Sequence, residues 1–275
     1  MAGSKFAYVK SFEIPDLLLP KTFIVARLDG HGFHRFSDEH GFVKPNDERA
    51  LRLMDHAATV VMQEFSDIML GFGESDEFSF LFRKSCTLYN RRSTKIISTL
   101  TSLFTSAYVM NWSRYFEDMP LKYPPSFDGR IVLYPSSTEV MDYFSWRQTD
   151  THINNLYNTT FWALVQQGEK TPTQAHETLR GTVSSQKNEI LFNNFEINYN
   201  EIDSRFRKGS VLVREVVPPS LSAEGKSSEA DIAGSVSAKT LKPSKKPKPV
   251  YKITVCHCDI IGKSFWEEHP YLLES

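Results

Sequence analysis

Long apolar runs are missing from this chain of 275 residues. No stretch approaches the roughly 20 apolar residues that a membrane-spanning helix needs, and the N-terminus Met-Ala-Gly-Ser-Lys lacks the apolar core of a secretory signal. Cysteine is scarce: three residues without scaffold spacing exclude a disulfide framework. We therefore expect a cytoplasmic or nuclear protein that builds its core without covalent staples.

An excess of charge of either sign is also missing. The 32 basic and 33 acidic side chains give a formal net charge of −1, which excludes a uniformly basic nucleic-acid coat. Local basic clusters remain, at Arg91-Arg92 with Lys95, at residues 205–208 and at residues 242–248. A single cluster of this kind is usually a solvated face, so charge alone does not indicate the function.

Two common nucleotide-binding fingerprints are absent as well. The chain contains no Gly-x4-Gly-Lys-Ser/Thr loop and no Gly-x-Gly-x-x-Gly segment. The sequence therefore argues against a kinase with a phosphate-binding loop of that type and against a dinucleotide-binding enzyme.

Two acidic motifs are present, each beside an apolar run typical of a strand. Thr22 to Leu28 ends at Asp29-Gly30, and Gly73-Glu74 leads into the partly alternating run Ser75 to Phe82, which contains Asp76 and Glu77 and predicts a strand. Alone, Asp29-Gly30 would be read as a hairpin turn. A carboxylate that opens an apolar strand needs a partner, which is either a metal ion or an arginine such as Arg27 or Arg83.

These carboxylates suit magnesium-dependent transfer of a nucleotide. Mg²⁺ is usually held by one or two carboxylates together with substrate phosphates, and strand alternation turns Asp76 and Glu77 to opposite faces. Asp29 and Asp76 are therefore the predicted direct ligands, with Glu77 less directly placed. Gly30 and Gly32 would let a triphosphate approach the backbone, and a helix from Phe33 would aim N–H groups at it.

The remaining pattern predicts an α+β fold. Helices are expected after Asn46-Asp47, from Tyr89 to about Tyr115, and from Ser137 to Gly168. The cations at the start of the second helix oppose its dipole, which suggests a nearby anion such as RNA. Strands are expected at residues 129–135, 208–213 and 249–255, and residues 218–249, which are rich in Ser, Lys and Pro, predict a disordered insertion.

Cys256-His257-Cys258 does not predict a metal centre. Neighbouring side chains on a strand alternate between faces, and the chain offers no second pair of zinc ligands. Nothing in the sequence places a thiolate in an electropositive setting, so a cysteine nucleophile is not predicted either.

Taken together, the motifs resemble those of the tRNA(His) guanylyltransferase family of the eukaryotic type. The resemblance covers roughly residues 5–216 and 250–272. It rests on Arg27-Leu28-Asp29-Gly30, Phe33-His34-Arg35-Phe36, Lys44-Pro45-Asn46-Asp47, Ser75-Asp76-Glu77-Phe78-Ser79-Phe80, Phe127-Asp128-Gly129-Arg130, Tyr143 with Trp146-Arg147-Gln148, His152-Ile153-Asn154-Asn155-Leu156-Tyr157-Asn158 and Lys187-Asn188-Glu189-Ile190-Leu191-Phe192.

The resemblance implies a polymerase-palm-like, ferredoxin-like antiparallel sheet with flanking helices. Residues 1–135 would form the catalytic palm region, 136–217 a helical region and strand completing the same unit, 218–249 the insertion, and 250–275 a C-terminal strand and tail. The implied assembly is a homotetramer.

The implied reaction adds guanosine at position −1 of the tRNA 5′ end. ATP would adenylylate the 5′-phosphate, the GTP 3′-hydroxyl would displace AMP, and pyrophosphate would then be removed. Two Mg²⁺ ions would be held by Asp29, Asp76 and the Gly30 carbonyl, and Glu77 would complete the catalytic set. The implied nucleotide-binding residues are Asp29, Gly30, His31, Gly32, Phe33, His34, Lys44, Asn46, Asp47, Ser75 and Asp76.

Contacts to tRNA(His) are implied for a separate set of mostly basic residues: Arg27, Arg91, Arg92, Lys95, His152, Lys187, Asn188 and Lys208. His31-Gly32 departs from the family pattern, where a larger basic or polar pair is expected, which affects the compensation of triphosphate charge. Two other functions fit the residues alone: a palm nucleotidyltransferase acting on small molecules, and a non-catalytic RNA-binding module.

Overall fold

A six-stranded sheet forms the centre of the molecule. The computed structural model describes residues 4–217 and 250–274, so the predicted insertion at 218–249 lies outside the described residues. The strands are β1 Phe23–Gly30, β2 Ile68–Glu74, β3 Glu77–Phe82, β4 Phe127–Tyr134, β5 Ser210–Val217 and β6 Val250–Cys256. They lie in the order β4-β1-β3-β2-β5-β6, and every neighbouring pair is antiparallel.

Eight α-helices surround this sheet in the part of the chain that the structure describes. They are α1 Phe33–Glu39, α2 Glu48–Glu64, α3 Ser93–Tyr115, α4 Ser137–Gln166, α5 Pro172–Leu179, α6 Ser184–Phe195, α7 Ser204–Lys208 and α8 Lys263–Glu268. None of the described helices is long and apolar enough to cross a membrane. The predicted α+β class and the palm-like antiparallel sheet are confirmed.

Strand alternation gives the sheet two buried faces. Ile24, Ala26 and Leu28 of β1 face α2 and α3, together with the phenylalanines of β3. Phe23 and Val25 face the other side, where Val140, Tyr143 and Phe144 of α4 and the aromatic residues of α8 cover them. Because successive strand residues point to opposite faces, one short apolar strand serves both layers.

Beyond the sheet, the second half of α4 carries a smaller helical layer. Leu156 and Ala163 pack with α6 and Tyr199, while Phe161 and Leu164 pack with α5. Thr171 caps α5 and Pro172 occupies its first turn.

Helix α2 begins at the predicted acidic cap. The Asp47 side chain, 2% exposed, accepts hydrogen bonds from the N–H groups of Arg49 and Val43, each at 3.0 Å, and pairs with the Arg49 guanidinium at 2.7 Å. Burial opposes the charge, but the bonds from Arg49 and Val43 outweigh it and lower the pKa of Asp47 below the ordinary aspartate value.

Asp47→Ala is expected to lower the free energy of unfolding by about 2–3 kcal/mol near neutral pH, since the helix loses its cap and a charged acceptor. A carboxylate with a lowered folded-state pKa stabilises the fold above the ordinary value, and this contribution disappears as pH falls through the folded-state pKa. Urea titrations at several pH values should show the gap between parent and variant closing in acid. Asp47→Asn, which keeps the cap acceptor, should lose less; equal losses would contradict the capping role.

Candidate active site

Three carboxylates lie in a row across the end of the sheet. Asp29 of β1 is opposite Glu77 of β3, and Glu77 is opposite Glu74 of β2. Like charges directly opposite one another on neighbouring strands are destabilising, so this row requires compensating charge.

Two arginines supply that charge on one side of the row. Arg147 of α4 donates from Nε to Glu77 at 2.7 Å, from Nη2 to Glu74 at 2.5 Å, and from Nη1 to Asp150 at 2.9 Å. Arg27 binds Asp29 at 2.8 Å and Glu77 at 3.2 Å. The side chains of Arg147, Glu74 and Glu77 are at most 10% exposed. Burial raises the pKa of both glutamates, that of Glu77 to about 7, and the charge of Arg147 opposes this rise without cancelling it.

Asp76 is placed differently from the other acids. It lies with Ser75 in the turn between β2 and β3, where Ser75 adopts φ +49°. The strand predicted to begin at Ser75 therefore begins at Glu77. Glu77 contacts Arg147 of α4, whereas the charge of Asp76 acts on Tyr108 of α3, on the opposite face of the sheet. The turn, and not strand alternation, separates the two carboxylates.

The Asp76 carboxylate lies against the backbone of Gly30. A Cβ atom built on Gly30 would stand 2.7 Å from Asp76 Oδ2. Burial, and to a smaller extent the charge of Asp29, raise the pKa of Asp76. Within the described ranges, no lysine, arginine or histidine forms an ion pair with it. Asp76 is thus a partly buried carboxylate without the cation that its neighbours possess.

A cleft of about 530 Å³ opens beside these carboxylates. Its walls come from the end of β1, helix α1, the loop before α2, the β2–β3 turn and one face of α4. The predicted nucleotide-binding residues that line it are Asp29, Phe33, His34, Lys44, Asn46, Asp47, Ser75 and Asp76. The fold therefore brings two motifs that are distant in sequence to one cavity.

The glycine loop after β1 uses part of its backbone internally. Gly30 N–H donates to the Asp76 carbonyl at 3.1 Å, and His31 N–H donates to the Ser126 carbonyl at 2.9 Å. Gly32 caps α1 in the left-handed region at φ +66°, which favours glycine. The N–H groups of Gly30 and His31 are therefore not free to bind a phosphate, so the predicted phosphate site is smaller than residues 30–34. The N–H groups at the start of α1 have no partner within the helix and remain available to a phosphate.

Phe33 and His34, two of the predicted nucleotide-binding residues, lie in different environments. Phe33 packs in the core, with its ring centroid 4.9 Å from those of both Phe36 and Phe127. The His34 side chain is 90% exposed and lies 3.6 Å from Asp38. Phe33 therefore acts as a helix anchor at the cleft floor, and His34 is the member of the pair that is free to meet a base.

The loop before α2 forms the opposite wall. Lys44 Nζ lies 2.7 Å from Asp38 and 2.9 Å from Ser37 Oγ, and it stands 5.8 Å above the Trp162 ring. Asn155 of α4 donates to the Asn46 side chain at 3.0 Å. A lysine beside an aromatic ring and paired amides suits a phosphorylated, planar ligand.

Helix α4 supplies cleft residues to which the sequence motifs assigned no role in nucleotide binding. Besides Arg147, this helix contributes a polar stripe made of Thr151, Asn154, Asn155 and Asn158, ending at Trp162. Steps of three and four residues between them are the signal that could have found the stripe, since such positions share one helix face.

Several residues predicted to contact tRNA bind other groups of the protein. Arg91 is 8% exposed, and its guanidinium donates to the carbonyls of Cys86 and Leu19. Arg92 pairs with Asp16 at 3.2 Å, and Asp16 also accepts from Thr94 at the start of α3. The anion expected near this helix start is therefore Asp16, and the helix itself begins at Ser93 rather than Tyr89. Arg91 is therefore buried by protein and is not among the proposed RNA contacts.

The other predicted RNA-contacting residues lie on separate elements. His152 is exposed on α4, Asn188 is exposed on α6, and Lys95 is exposed on α3, while Lys187 and Lys208 are half-buried. Arg27 is engaged by Asp29 and Glu77 within the sheet. None of the eight lines the cleft, so an RNA contact through them would lie outside the cavity.

The donor set fits magnesium better than a metal that needs several side chains. Within residues 4–217 and 250–274, no group of three or more His, Cys, Asp or Glu side chains is arranged as a ligand cluster. Mg²⁺ instead takes one or two carboxylates together with water and substrate phosphates. Asp76, without a cation, beside Asp29 at the cleft edge satisfies that requirement.

Comparisons with known proteins agree with this geometry. A family model described as tRNAHis guanylyltransferase matches residues 6–135, and one described as Thg1 C terminal domain matches residues 138–262. The chain belongs to the tRNA(His) guanylyltransferase family. The predicted nucleotidyltransferase class is confirmed with it.

Relatives in this family match over almost the whole chain. A tRNA(His) guanylyltransferase of Neurospora crassa is 51% identical over 282 residues, covering 99% of this chain and 96% of that protein. A probable tRNA(His) guanylyltransferase of Dictyostelium discoideum is 50% identical over 275 residues, covering all of both. The eukaryotic type predicted from the motifs is confirmed.

Solved structures share the fold. The crystal structure of tRNA(His) guanylyltransferase from Saccharomyces cerevisiae is 48% identical, with a TM-score of 0.73 over 76% of this chain and 93% of that one. A bacterial Thg1-like protein in complex with ATP is 21% identical, with a TM-score of 0.69 over 96% of each chain. The second match concerns the fold alone.

Gly30→Ala tests the packing of the family's acidic site. The new methyl group would stand 2.4 Å from Phe33 Cδ2 and 2.7 Å from Asp76 Oδ2, so one of these groups must move. Since small displacements of reacting groups are costly, we expect kcat for nucleotidyl transfer to fall about 100-fold. Single-turnover kinetics measure this effect. Gly262→Ala is the matched control, because its nearest neighbour is 3.8 Å away; an equal loss there would contradict the steric argument.

Proposed function

We propose that this chain adds one guanosine to the 5′ end of tRNA(His), using ATP and GTP. The observation that carries the proposal is the pair Asp29 and Asp76, which both line a nucleotide-sized cleft, with no cation paired to Asp76 in the part of the chain that the structure describes. Relatives named tRNA(His) guanylyltransferase at about half identity over the full chain support the substrate.

Asp29, Asp76 and the Gly30 carbonyl would hold two Mg²⁺ ions. When bound, the ions would offset triphosphate charge and polarise the phosphorus under attack. Asp76 is suited to this role because no cation among the described residues pairs with it. Arg27 holds Asp29 in place at 2.8 Å, and Arg147 holds Glu77 at 2.7 Å.

Other cleft residues would bind and orient the nucleotides. The N–H groups that start α1 and the Lys44 ammonium offer positive charge to phosphates, and Asn154 and Asn158 offer amides to a base or ribose. Lys44 is paired with Asp38 and would exchange that partner for a phosphate. His31 is exposed and would compensate triphosphate charge only weakly.

The proposed reaction proceeds in three steps. An oxygen of the tRNA 5′-phosphate attacks the α-phosphorus of ATP and releases pyrophosphate. The 3′-hydroxyl of GTP then attacks the activated 5′-phosphate and releases AMP. Removal of pyrophosphate leaves a 5′-monophosphate on the new guanosine at position −1.

The tRNA would be held outside the cleft, through His152, Lys187, Asn188 and Lys208 together with Lys95 and Arg92. Five of these residues lie on four different helices, α3, α4, α6 and α7, and Arg92 directly precedes α3; this spread suits a ligand much larger than a nucleotide. A homotetramer is proposed for the assembly, and light scattering of the purified chain would test it.

The direct test is an extension assay. Purified protein is incubated with ATP, GTP, Mg²⁺ and 5′-phosphorylated tRNA(His), and the product is resolved at single-nucleotide length. One added guanosine is the expected result, and absence of the extended product would contradict the proposal. A tRNA with a different anticodon serves as the specificity control.

A salt titration separates the alternatives. Binding of tRNA through the four basic side chains Arg92, Lys95, Lys187 and Lys208 should weaken steeply with salt, whereas a palm enzyme for small molecules should show little dependence. Tight binding without extension would instead favour a non-catalytic RNA-binding module.

A further inference from the structure

Two cysteines lie side by side where the edge strand β6 ends. Cys256 is the last residue of β6, Cys258 follows two residues later, and their sulfur atoms are 3.5 Å apart. Two residues of extended chain span at most about 6.8 Å, which is the upper end of the Cα separations that a disulfide accepts. To bond, the two sulfurs must approach from 3.5 Å to about 2.05 Å.

The surroundings of Cys258 favour a reactive sulfur. The hydrogen bond from the Cys256 thiol lowers the pKa of Cys258, and the nearby Lys208 ammonium lowers it further. Gln148 of α4 holds the backbones of Lys208 and Cys258 side by side, because its amide donates at 2.9 Å to the carbonyls of both. The sequence alone does not show this arrangement, because it depends on segments far apart in the chain.

Accessibility distinguishes this pair from the third cysteine. Cys256 and Cys258 are both half-buried at a sheet edge. Cys86 is 2% exposed, and burial raises the pKa of its thiol to about 11. Reactive cysteines are thiolates within reach of solvent, so Cys86 is a built-in unreactive reference.

We propose that Cys256 and Cys258 form a thiol–disulfide modification site, oxidised by hydroperoxides to an intramolecular disulfide and restored by dithiol reductants. The pair is separate from the catalytic cleft, since neither cysteine lines it, although the neighbouring Gly209 and Ser210 do. In the reducing compartment predicted from the sequence, such a disulfide is a transient, sensing type of bond rather than a structural one.

The oxidation balances with one peroxide. The Cys258 thiolate attacks a peroxide oxygen, so that an S–O bond forms, the O–O bond breaks, and the departing hydroxide takes up a proton to become water. The Cys256 sulfur then attacks the sulfenic sulfur of Cys258. An S–S bond forms, the S–O bond breaks, and hydroxide leaves with the Cys256 proton as a second water. The two sulfurs lose two electrons, which reduce the peroxide.

Peptide mapping of the full chain tests the site. Trypsin cuts after Lys252 and Lys263, so both cysteines fall in peptide 253–263. After brief treatment with hydrogen peroxide, this peptide should lose the mass of two hydrogen atoms, and dithiothreitol should restore it. Cys258 should also react with iodoacetamide at least about 100-fold faster than Cys86.

Three variants make the outcome decisive. C256S and C258S should each abolish the mass loss, whereas C86S should keep it unchanged. Addition of oxygen atoms to Cys258 in the parent, a link between two chains, or equal alkylation of Cys86 would overturn the proposal. Counting free thiols in the native parent is an independent measurement: oxidation should remove two of the three.

Discussion

Replacement of Asp76 by alanine is expected to lower kcat for guanosine addition by more than about 1000-fold. Asp76 is the carboxylate at the cleft edge that has no arginine or lysine partner among the described residues, so its charge is available for magnesium. Single-turnover extension of tRNA(His) measures the chemical step. The dissociation constant for tRNA should change only a few-fold, since the proposed RNA contacts lie outside the cleft.

Replacement of Asp76 by asparagine should not make the protein less stable than the parent. Burial raises the pKa of Asp76, and Asp29 adds repulsion, so the charged side chain works against folding when no metal is bound. Thermal unfolding without Mg²⁺ should therefore give an equal or higher Tm for Asp76→Asn, which preserves shape. Asp118→Ala, an exposed loop aspartate, is the matched control and should keep full activity. Retained activity in Asp76→Asn would refute the metal assignment.

Replacement of Arg147 by alanine is expected to lower the free energy of unfolding by about 3–5 kcal/mol. Its guanidinium contacts Glu74, Glu77 and Asp150, and its loss would leave two glutamates at most 10% exposed without their shared cation. Urea unfolding followed by tryptophan fluorescence measures the change. Arg52→Ala removes a surface pair with Glu48 and should cost less than about 1 kcal/mol.

Two further variants separate charge from packing at this position. Arg147→Lys keeps the charge but cannot reach three carboxylates at once, so its stability should lie between those of parent and alanine variant. Combining Arg147→Met with Glu74→Gln and Glu77→Gln removes both the cation and the buried charges, and should recover most of the stability. If this triple variant is as unstable as Arg147→Ala, the effect of Arg147 is packing and the electrostatic account fails.

Local features of the fold were predictable from sequence because local chemistry determines them. Asn46-Asp47-Glu48 identifies the start of α2, and the apolar spacing from Leu53 to Val61 identifies its buried face. Asp29 and Asp76 were found because carboxylates are conspicuous beside apolar strands. The β2–β3 turn was missed, since the alternation continues through Ser75 and nothing local indicates its left-handed backbone.

Long-range partners could not be predicted in the same way. Arg147 was visible only as part of a motif, and its role depends on α4 crossing the sheet beside Glu74 and Glu77. The basic residues at the start of α3 suggested a nearby RNA. Their actual anionic partner, Asp16, pairs with Arg92 but is distant in the sequence, so it could not be identified from the local pattern. The Cys256–Cys258 contact was not predicted, although strand alternation places residues two apart on the same face.

The position of Arg147 also bears on how the chain matures during synthesis. The ribosome delivers β1, β2 and β3 before α4, so Asp29, Glu77 and Glu74 are all made before Arg147, and of their two arginines only Arg27 is already present. The segment matched at residues 6–135 therefore carries an acidic edge that Arg27 compensates in part and that Arg147, within residues 138–262, completes. The strands that hold this acidic row gain their full stability only when α4 docks.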